Sequence, residues 1–398
     1  MKRAAFLACL SAIIPALAAA ADAPRWAPKD FDALVEIVEN VGAEGLDPAR
    51  YPITEIEAAR AAGDIATAER LASALFQTIA KDFSFGVTPE ARRLRWRIAP
   101  SAADIFDVVT LLDTALKDHS VRATLAGLLP TNPQYEALKA AFASAAPDDA
   151  KTLLKIRANL ERWRWMPRDL GSDFVFVNIP SQDLAVIRSG AEVDRRRIIY
   201  GARKTPTWAF VATITGVAFN PTWYVPSSIA ASEGIHTLLR RRPAAAKSLG
   251  FYVAENGSVR QKPGAKNPLG RMKLVMPNRF STYLHDTPGQ ALFARETRAF
   301  SHGCIRVEDA LAFAQVLLEP NWSEEAVAEV VATGSSVIVD LDKPLPVYVA
   351  YFTAAADNGG EIALFSDVYG LDEILLRSEL DAGIAFTTSA EADASCAS

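Results

Sequence analysis

The residue types that can perform acid–base and nucleophilic chemistry are concentrated in one short stretch. The 398-residue sequence holds four histidines and three cysteines, and His285, His302 and Cys304 fall within 20 residues of one another. A cysteine attacks as its thiolate, which is a minor species for an unperturbed thiol at neutral pH. A nearby histidine that accepts the thiol proton, and later returns it to a leaving group, would activate such a cysteine. The stretch therefore predicts a cysteine nucleophile.

The positions of the two histidines indicate different roles. The YLHD sequence places His285 at a strand end, which we expect to face Cys304 across a hairpin-like connection, so His285 is the candidate base. His302 is two residues from Cys304 and would lie beside it on one face of an extended segment, as a supporting group. In the run from Ser301 to Cys304, Gly303 permits a tight turn, and the N–H groups of Gly303 and Cys304 are predicted to form an oxyanion hole.

Other interpretations of these residues stay open from the sequence. Cys304 could be a small buried side chain or form a disulfide with Cys396, and with His285 and His302 it could supply three zinc ligands. The His-Gly context and the position of Cys396 in a small, acidic stretch favour a free thiol, and no fourth zinc ligand follows at a familiar spacing. Arg306 could bind a substrate carboxylate or form a structural salt bridge. No metal and no other cofactor is predicted.

Two regions with different spacing of apolar residues make up the fold that must position His285, His302 and Cys304. Residues 22–146 carry apolar residues at helical spacing, as in 65–83 and in 104–116, where Ser101 is the expected N-cap. Beyond about residue 151, short runs rich in aromatic and β-branched residues predict strands with a few helices. The predicted fold class is α+β, a helical scaffold domain followed by a β-dominated domain.

The ends of the sequence are expected to lie outside the fold. Residues 1–21 combine a basic start, an apolar run and a small-residue cleavage site, which is typical of a secretory signal peptide, so no transmembrane segment is predicted after cleavage. Residues 381–398 predict a disordered tail. A net charge of −5 gives no support to nucleic-acid binding. We expect an exported protein.

The motif SHGCIR at residues 301–306 follows His285 with fifteen residues between His285 and Ser301. This pattern resembles the YkuD-type catalytic domain of the L,D-transpeptidases, in which a His, a spacer and [S/T]HGC precede a hydrophobic residue and Asn or Arg. Residues 155–375 also resemble the larger, YcbB-like branch of that family, which carries an N-terminal scaffold. The matching segments are LERWRWMPRDLG, VNIPSQDL, FNPTWYVPSSIA, NPLGRMKLVMPN, YLHDTP and PLPVYVAYFTA.

The resemblance implies a β-sandwich-like L,D-transpeptidase catalytic domain with a capping insertion at about residues 221–266. It implies that Cys304 is the nucleophile and His285 the proton acceptor and donor, with the imidazole oriented by the backbone carbonyl of Asp286. The other residues that it places around the oxyanion and substrate site are Ser301, His302, Gly303 and Arg306.

The implied activity is that of a periplasmic peptidoglycan L,D-transpeptidase. It would join donor and acceptor tetrapeptide stems by 3→3 cross-links through a Cys304 thioester, with loss of D-Ala. The same acyl-enzyme would act as an L,D-carboxypeptidase with water, or attach proteins to peptidoglycan with a protein lysine. A non-catalytic wall-binding scaffold is the alternative from another class. The branch's peptidoglycan-binding module has no room before the catalytic region, so anchoring is expected to depend on the enzyme's own groove or on wall-synthesis protein partners.

Overall fold

The computed structural model describes residues 25–357 and 359–375. The predicted signal peptide at 1–21, the predicted tail at 381–398 and Cys396 lie outside these residues. A helical region comes first and a large β-sheet region follows it, which confirms the predicted α+β class. Within the described ranges, no helix combines the length and the apolar character needed to cross a membrane.

The helical region packs around its own apolar core, in which Leu34, Phe76 and Ile79 are fully buried. The helices before the first strand are α1 (Pro28–Asn40), α2 (Ile53–Ala61), α3 (Ile65–Phe85), α4 (Val108–Lys117), α5 (Val121–Ala126), α6 (Pro133–Ser144) and α7 (Ala150–Arg164).

One helix begins later than the sequence pattern predicts. The side chain of Asp107 accepts hydrogen bonds from the N–H groups of Val109 and Thr110, so α4 begins at Val108 and not at residue 104. Ser101, the predicted cap, instead caps a short 3₁₀ turn. Ser101 and Asp107 are both suitable N-caps, and the hydrogen bonds of Asp107 place the start of α4 at Val108.

The strands of the second region form one large sheet and two small ones. They are β1 (Phe174–Asn178), β2 (Asp183–Arg188), β3 (Ala191–Gly201), β4 (Phe210–Phe219), β5 (Trp223–Tyr224), β6 (Phe251–Val253), β7 (Val259–Gln261), β8 (Met272–Val275), β9 (Leu284–His285), β10 (Ala299–Ser301), β11 (Ile305–Val307), β12 (Val337–Ala350), β13 (Ala354–Ala356) and β14 (Ile362–Leu364). The later helices are α8 (Ser227–Ser232), α9 (Ile235–Arg241), α10 (Pro243–Ser248), α11 (Ala310–Leu318) and α12 (Glu324–Ala332).

The large sheet closes on itself. Its strand order is β10-β3-β11-β9-β8-β4-β12-β1-β2, and β2 pairs with β3 as well as with β1. Closure removes most of the exposed edges that an open sheet would present. The interior is filled by alternate residues of the strands, including Leu274, Leu284 and Ile305, so the residues between them face outward.

The chain between β4 and β8 forms a small unit of its own. Strands β5, β7 and β6 make a three-stranded sheet beside helices α8 to α10. A separate apolar cluster that includes Trp223, Ile235 and Leu269 holds this unit together, and Tyr283 packs against that cluster. The unit is therefore attached next to β9.

Candidate active site

The predicted site residues lie on three neighbouring strands. Strand β9 is paired in parallel with β11 and antiparallel with β8, and the register sets Arg306 beside His285 and His285 beside Lys273. The predicted hairpin-like connection before Cys304 is wrong, because β9 and β11 run parallel and the chain between them crosses to β10, which pairs with β3. Two residues back along each strand, the same register places Cys304 beside Tyr283.

The His285 ring is held by the main chain of the next residue. Its Nδ1 lies 2.5 Å from the carbonyl oxygen of Asp286, and the side chain is 5% exposed. With Nδ1–H donating to that carbonyl, Nε2 carries the free lone pair. The Asp286 carboxylate is itself fixed by the N–H of Arg271 at 2.8 Å. Gly270, at φ 62°, is needed there because a Cβ would meet that carboxylate at 2.3 Å.

His285 is a neutral base in this site. Burial lowers its pKa to about 3, with further lowering by the positive charges of Arg306 and Lys273, while the hydrogen bond to Asp286 acts in the other direction. A neutral imidazole can accept a proton at once. It cannot pre-form an imidazolium partner for a thiolate.

The Cys304 thiol is also neutral at rest. Burial raises its pKa, and this is opposed by hydrogen bonds from the backbone and side chain of Tyr283 and by the charges of Lys273 and Arg306. The thiol donates to the carbonyl of Ser281 at 3.8 Å. The resting pair is therefore thiol and imidazole, and the groups around the sulfur are placed to stabilise a thiolate once it forms.

Tyr283 and its neighbours are functional candidates that the sequence interpretation missed. The Tyr283 ring lies 5.6 Å from the His285 ring, and Lys273 Nζ is 5.0 Å from the centre of the Tyr283 ring. Burial raises the pKa of Tyr283, and a side-chain hydrogen bond from Trp223 partly offsets this. The only signal in the sequence was the presence of these residues in segments that resemble the YcbB-like branch, because their contacts depend on strand register.

The turn before Cys304 differs from the predicted oxyanion hole. Gly303 adopts φ 114°, a conformation that favours glycine, but its N–H donates to Ser301 Oγ at 3.0 Å. The prediction that this N–H is free for an oxyanion does not hold. Its carbonyl accepts from Thr207 Oγ1 at 2.9 Å, and Ser301 Oγ donates to the Cys304 carbonyl, so the turn is held from several sides. His302 is exposed.

Two family models match the chain. Residues 172–339 match the L,D-transpeptidase catalytic domain, YkuD, and residues 18–142 match the Scaffold domain. The first match contains every residue of the site described above. Residues 172–339 form an L,D-transpeptidase catalytic domain of the YkuD family. The helical region before it belongs to the Scaffold family.

Known proteins with similar sequences or structures carry the same family name. A Haemophilus influenzae protein named "Putative L,D-transpeptidase" is 28% identical over 314 residues, which is 72% of this chain and 59% of that protein. The catalytic domain of E. faecium L,D-transpeptidase acylated by ertapenem is 14% identical, with a TM-score of 0.25 over 46% of this chain and 99% of that one. An L,D-transpeptidase from Mycobacterium smegmatis is 12% identical, with a TM-score of 0.24 over 45% and 58%. The family assignment rests on the family models.

The side chains of the L,D-transpeptidase domain include a candidate nucleophile, Cys304, and a candidate base, His285. Among residues 25–357 and 359–375, no three His, Cys, Asp or Glu side chains cluster in a way that could hold a metal ion. Among the same residues, Cys304 forms no disulfide. The arrangement can support transfer of a proton from sulfur to His285 and attack of the sulfur on a carbonyl carbon.

Proposed function

We propose that this protein is an exported peptidoglycan L,D-transpeptidase that forms 3→3 cross-links through a Cys304 thioester. The observation that carries the proposal is the geometry of His285. Its ring is fixed by the Asp286 carbonyl with Nε2 left free, on the strand next to Cys304 and within the segment that matches the catalytic-domain family.

In the first step, Cys304 attacks the carbonyl between the L-centre of diaminopimelate and the terminal D-Ala of a tetrapeptide. His285 Nε2 takes the thiol proton as the carbon–sulfur bond forms. When the carbon–nitrogen bond breaks, the imidazolium gives that proton to the amine of the leaving D-Ala, which leaves a thioester on the enzyme. The positive charges near the sulfur and the Tyr283 hydroxyl favour the charged intermediates of this step.

In the second step, the side-chain amine of a second stem attacks the thioester. His285 accepts a proton from that amine and returns one to the departing sulfur, so the enzyme is regenerated and an amide is formed. A neutral imidazole suits this step as well as the first, because both begin with proton acceptance. If water attacks instead, the product is that of an L,D-carboxypeptidase.

The proposed location is the cell envelope. It is supported by the secretory pattern at residues 1–21 and by the substrate class of the catalytic-domain family. The small unit between β4 and β8 packs against Tyr283, which supports a role for it as a cap over the donor site. Protein partners in wall synthesis would help to anchor the enzyme.

The proposal is tested by incubating the mature protein with disaccharide-tetrapeptide and recording intact-protein mass and products. We expect an adduct that has lost D-Ala, mapped to Cys304, together with a 3→3 dimer. Cys304→Ala should give neither and should retain its folded thermal transition. An adduct that only hydrolyses would assign the carboxypeptidase reaction. Turnover by Cys304→Ala would exclude the thioester mechanism.

A further inference from the structure

A row of three basic side chains crosses the outer face of the sheet at the candidate site. Arg306 on β11, His285 on β9 and Lys273 on β8 are direct neighbours in register. The residues on either side of Arg306 and Lys273 in the chain, such as Ile305 and Leu274, are buried in the interior, so the row faces the site. Neighbouring strands lie about 4.8 Å apart, and both long side chains can therefore reach across His285.

The two cations of this row are not neutralised by the protein. Among the described residues, neither Lys273 nor Arg306 has a carboxylate at ion-pair distance. The Nε of Arg306 is buried, and no group in the described part of the chain forms a hydrogen bond with it. Glu233 attracts Arg306 only at longer range, and the nearby Asp286 carboxylate is occupied by the main chain and side chain of Arg271.

Both cations act electrostatically on the sulfur. Each one favours the Cys304 thiolate electrostatically, and Lys273 Nζ lies over the ring of Tyr283, whose hydroxyl is hydrogen-bonded to that sulfur. Partly buried cations without partners carry a desolvation cost that an incoming anion can offset. The ligand group that fits them is a carboxylate placed close to the atom that Cys304 attacks.

We propose that Lys273 and Arg306 together bind the C-terminal carboxylate of the leaving D-amino acid of the donor stem. This inference rests on the proposed function. In a tetrapeptide donor that carboxylate belongs to the residue directly after the scissile carbonyl, so it is next to the sulfur when the thiol attacks. A donor extended by one residue would place a neutral amide there and leave both cations unpaired. The pair would therefore select donors that end one residue beyond the scissile bond.

The test compares a disaccharide-tetrapeptide with the same compound carrying a C-terminal carboxamide. We expect kcat/KM of the wild-type enzyme to favour the carboxylate donor by about 10- to 100-fold, as for a lost charge-assisted hydrogen bond. In Lys273→Met this preference should fall to within about threefold of unity, and Lys273→Arg should restore most of it. Lys117→Met, at an exposed lysine of α4 in the helical region, is the matched control and should keep the full preference.

The alternative to carboxylate binding is that Lys273 acts only on the Cys304 thiolate. In that case Lys273→Met would slow both donors by the same factor and leave the preference intact, which would overturn the inference. A wild-type enzyme that turns over both donors equally would also overturn it.

Binding measurements separate this inference from the proposed reaction. Calorimetry with Cys304→Ala should show tighter binding of the carboxylate donor than of the carboxamide, and Cys304→Ala/Lys273→Met should lose the difference. If this preference is present but the wild-type enzyme forms no acyl adduct, the reaction proposal fails and the carboxylate site stands. If adducts form but neither binding nor turnover shows the preference, the reaction proposal stands and the carboxylate site fails.

Discussion

Two regions of the molecule hold cationic side chains that are buried or half-buried, and only one of the regions pairs them with carboxylates. On helix α7, Arg162 pairs with Asp372 at 2.6 Å and Arg164 pairs with Glu161 at 3.2 Å, with the arginine side chains only 2% and 1% exposed. At the candidate site, Lys273 and Arg306 have no carboxylate at ion-pair distance among the described residues. The arginines of α7 are therefore neutralised by carboxylates of the protein, whereas no described carboxylate neutralises Lys273 and Arg306.

The difference separates a structural role from a binding role. Arg164 also donates to the carbonyl of Glu44 and to the hydroxyl of Tyr135 at 3.0 Å, so it ties α7 to the helical region. Arg162 connects the same helix to residues after β12 through Asp372 and Thr353. A buried charge that finds its partners inside the fold fixes the fold, whereas one without partners has its interaction capacity available for a ligand.

The largest expected effect is the loss of catalysis when His285, in the row of Arg306, His285 and Lys273, is replaced. His285→Gln should lower kcat by about 10²- to 10⁴-fold, because it removes the general base while keeping a polar side chain of similar size. D-Ala release from disaccharide-tetrapeptide is the measurement, with folding checked by thermal denaturation. His236→Gln, at an exposed histidine of α9, is the control. A His285→Gln enzyme with more than a tenth of wild-type activity would mean that another group is the base.

Substitution of a paired arginine on α7 should lower the stability of the fold and should not act directly on the reaction. Arg164→Met leaves the Glu161 carboxylate buried without its cation, so we expect the free energy of unfolding to fall by about 3–5 kcal/mol. Denaturant unfolding measures the loss. The same substitution at Arg122, which forms an exposed pair with Glu36, should cost less than about 1 kcal/mol. Equal losses at the two arginines would mean that burial of the ion pair does not set its contribution to stability.

An intermediate effect is expected at Tyr283. Tyr283→Phe removes the hydroxyl that hydrogen-bonds the thiolate, and the rate of acylation should fall by about 10- to 100-fold. The pH dependence of Cys304 alkylation should shift to higher pH in the same variant, because the thiolate is less stabilised. Tyr224→Phe, at an exposed tyrosine of β5, is the matched control. An unchanged alkylation profile would show that this hydroxyl does not act on the sulfur.

His285 should also contribute a stability term that is seen only when the pH falls below neutral. The pKa of this residue is about 3 in the folded protein and near 6.5 in an unfolded chain, so between these values the unfolded chain binds the extra proton. The His285 contribution is complete above about pH 6.5 and is lost as pH falls toward 3, by about 1.4 kcal/mol per pH unit. The difference in unfolding free energy between wild type and His285→Gln isolates it. A flat difference from pH 7 to 4 would mean that the ring is not held neutral.

Much of the fold class followed from local patterns. Helical spacing predicted α3 at residues 65–83, close to the observed Ile65–Phe85. The prediction was possible because the buried face of a helix requires apolar residues every three to four positions within one segment of the sequence. The start of α4 was wrong because Ser101 and Asp107 are both acceptable caps, and the sequence alone does not decide between them.

The sequence by itself determined which residues carry the candidate chemistry. His285 and Cys304 are indicated by residue type and by spacing along the chain, and the role of Asp286 is implied by the resemblance to the family motif; these local signals do not depend on how strands pair. Only the tertiary structure decided that β9 and β11 run parallel, that the Gly303 N–H is used by Ser301, and that Lys273 and Tyr283 belong to the site. Register between strands is set by the packing of the whole sheet interior, and a shift of one residue would have turned these side chains to the opposite face.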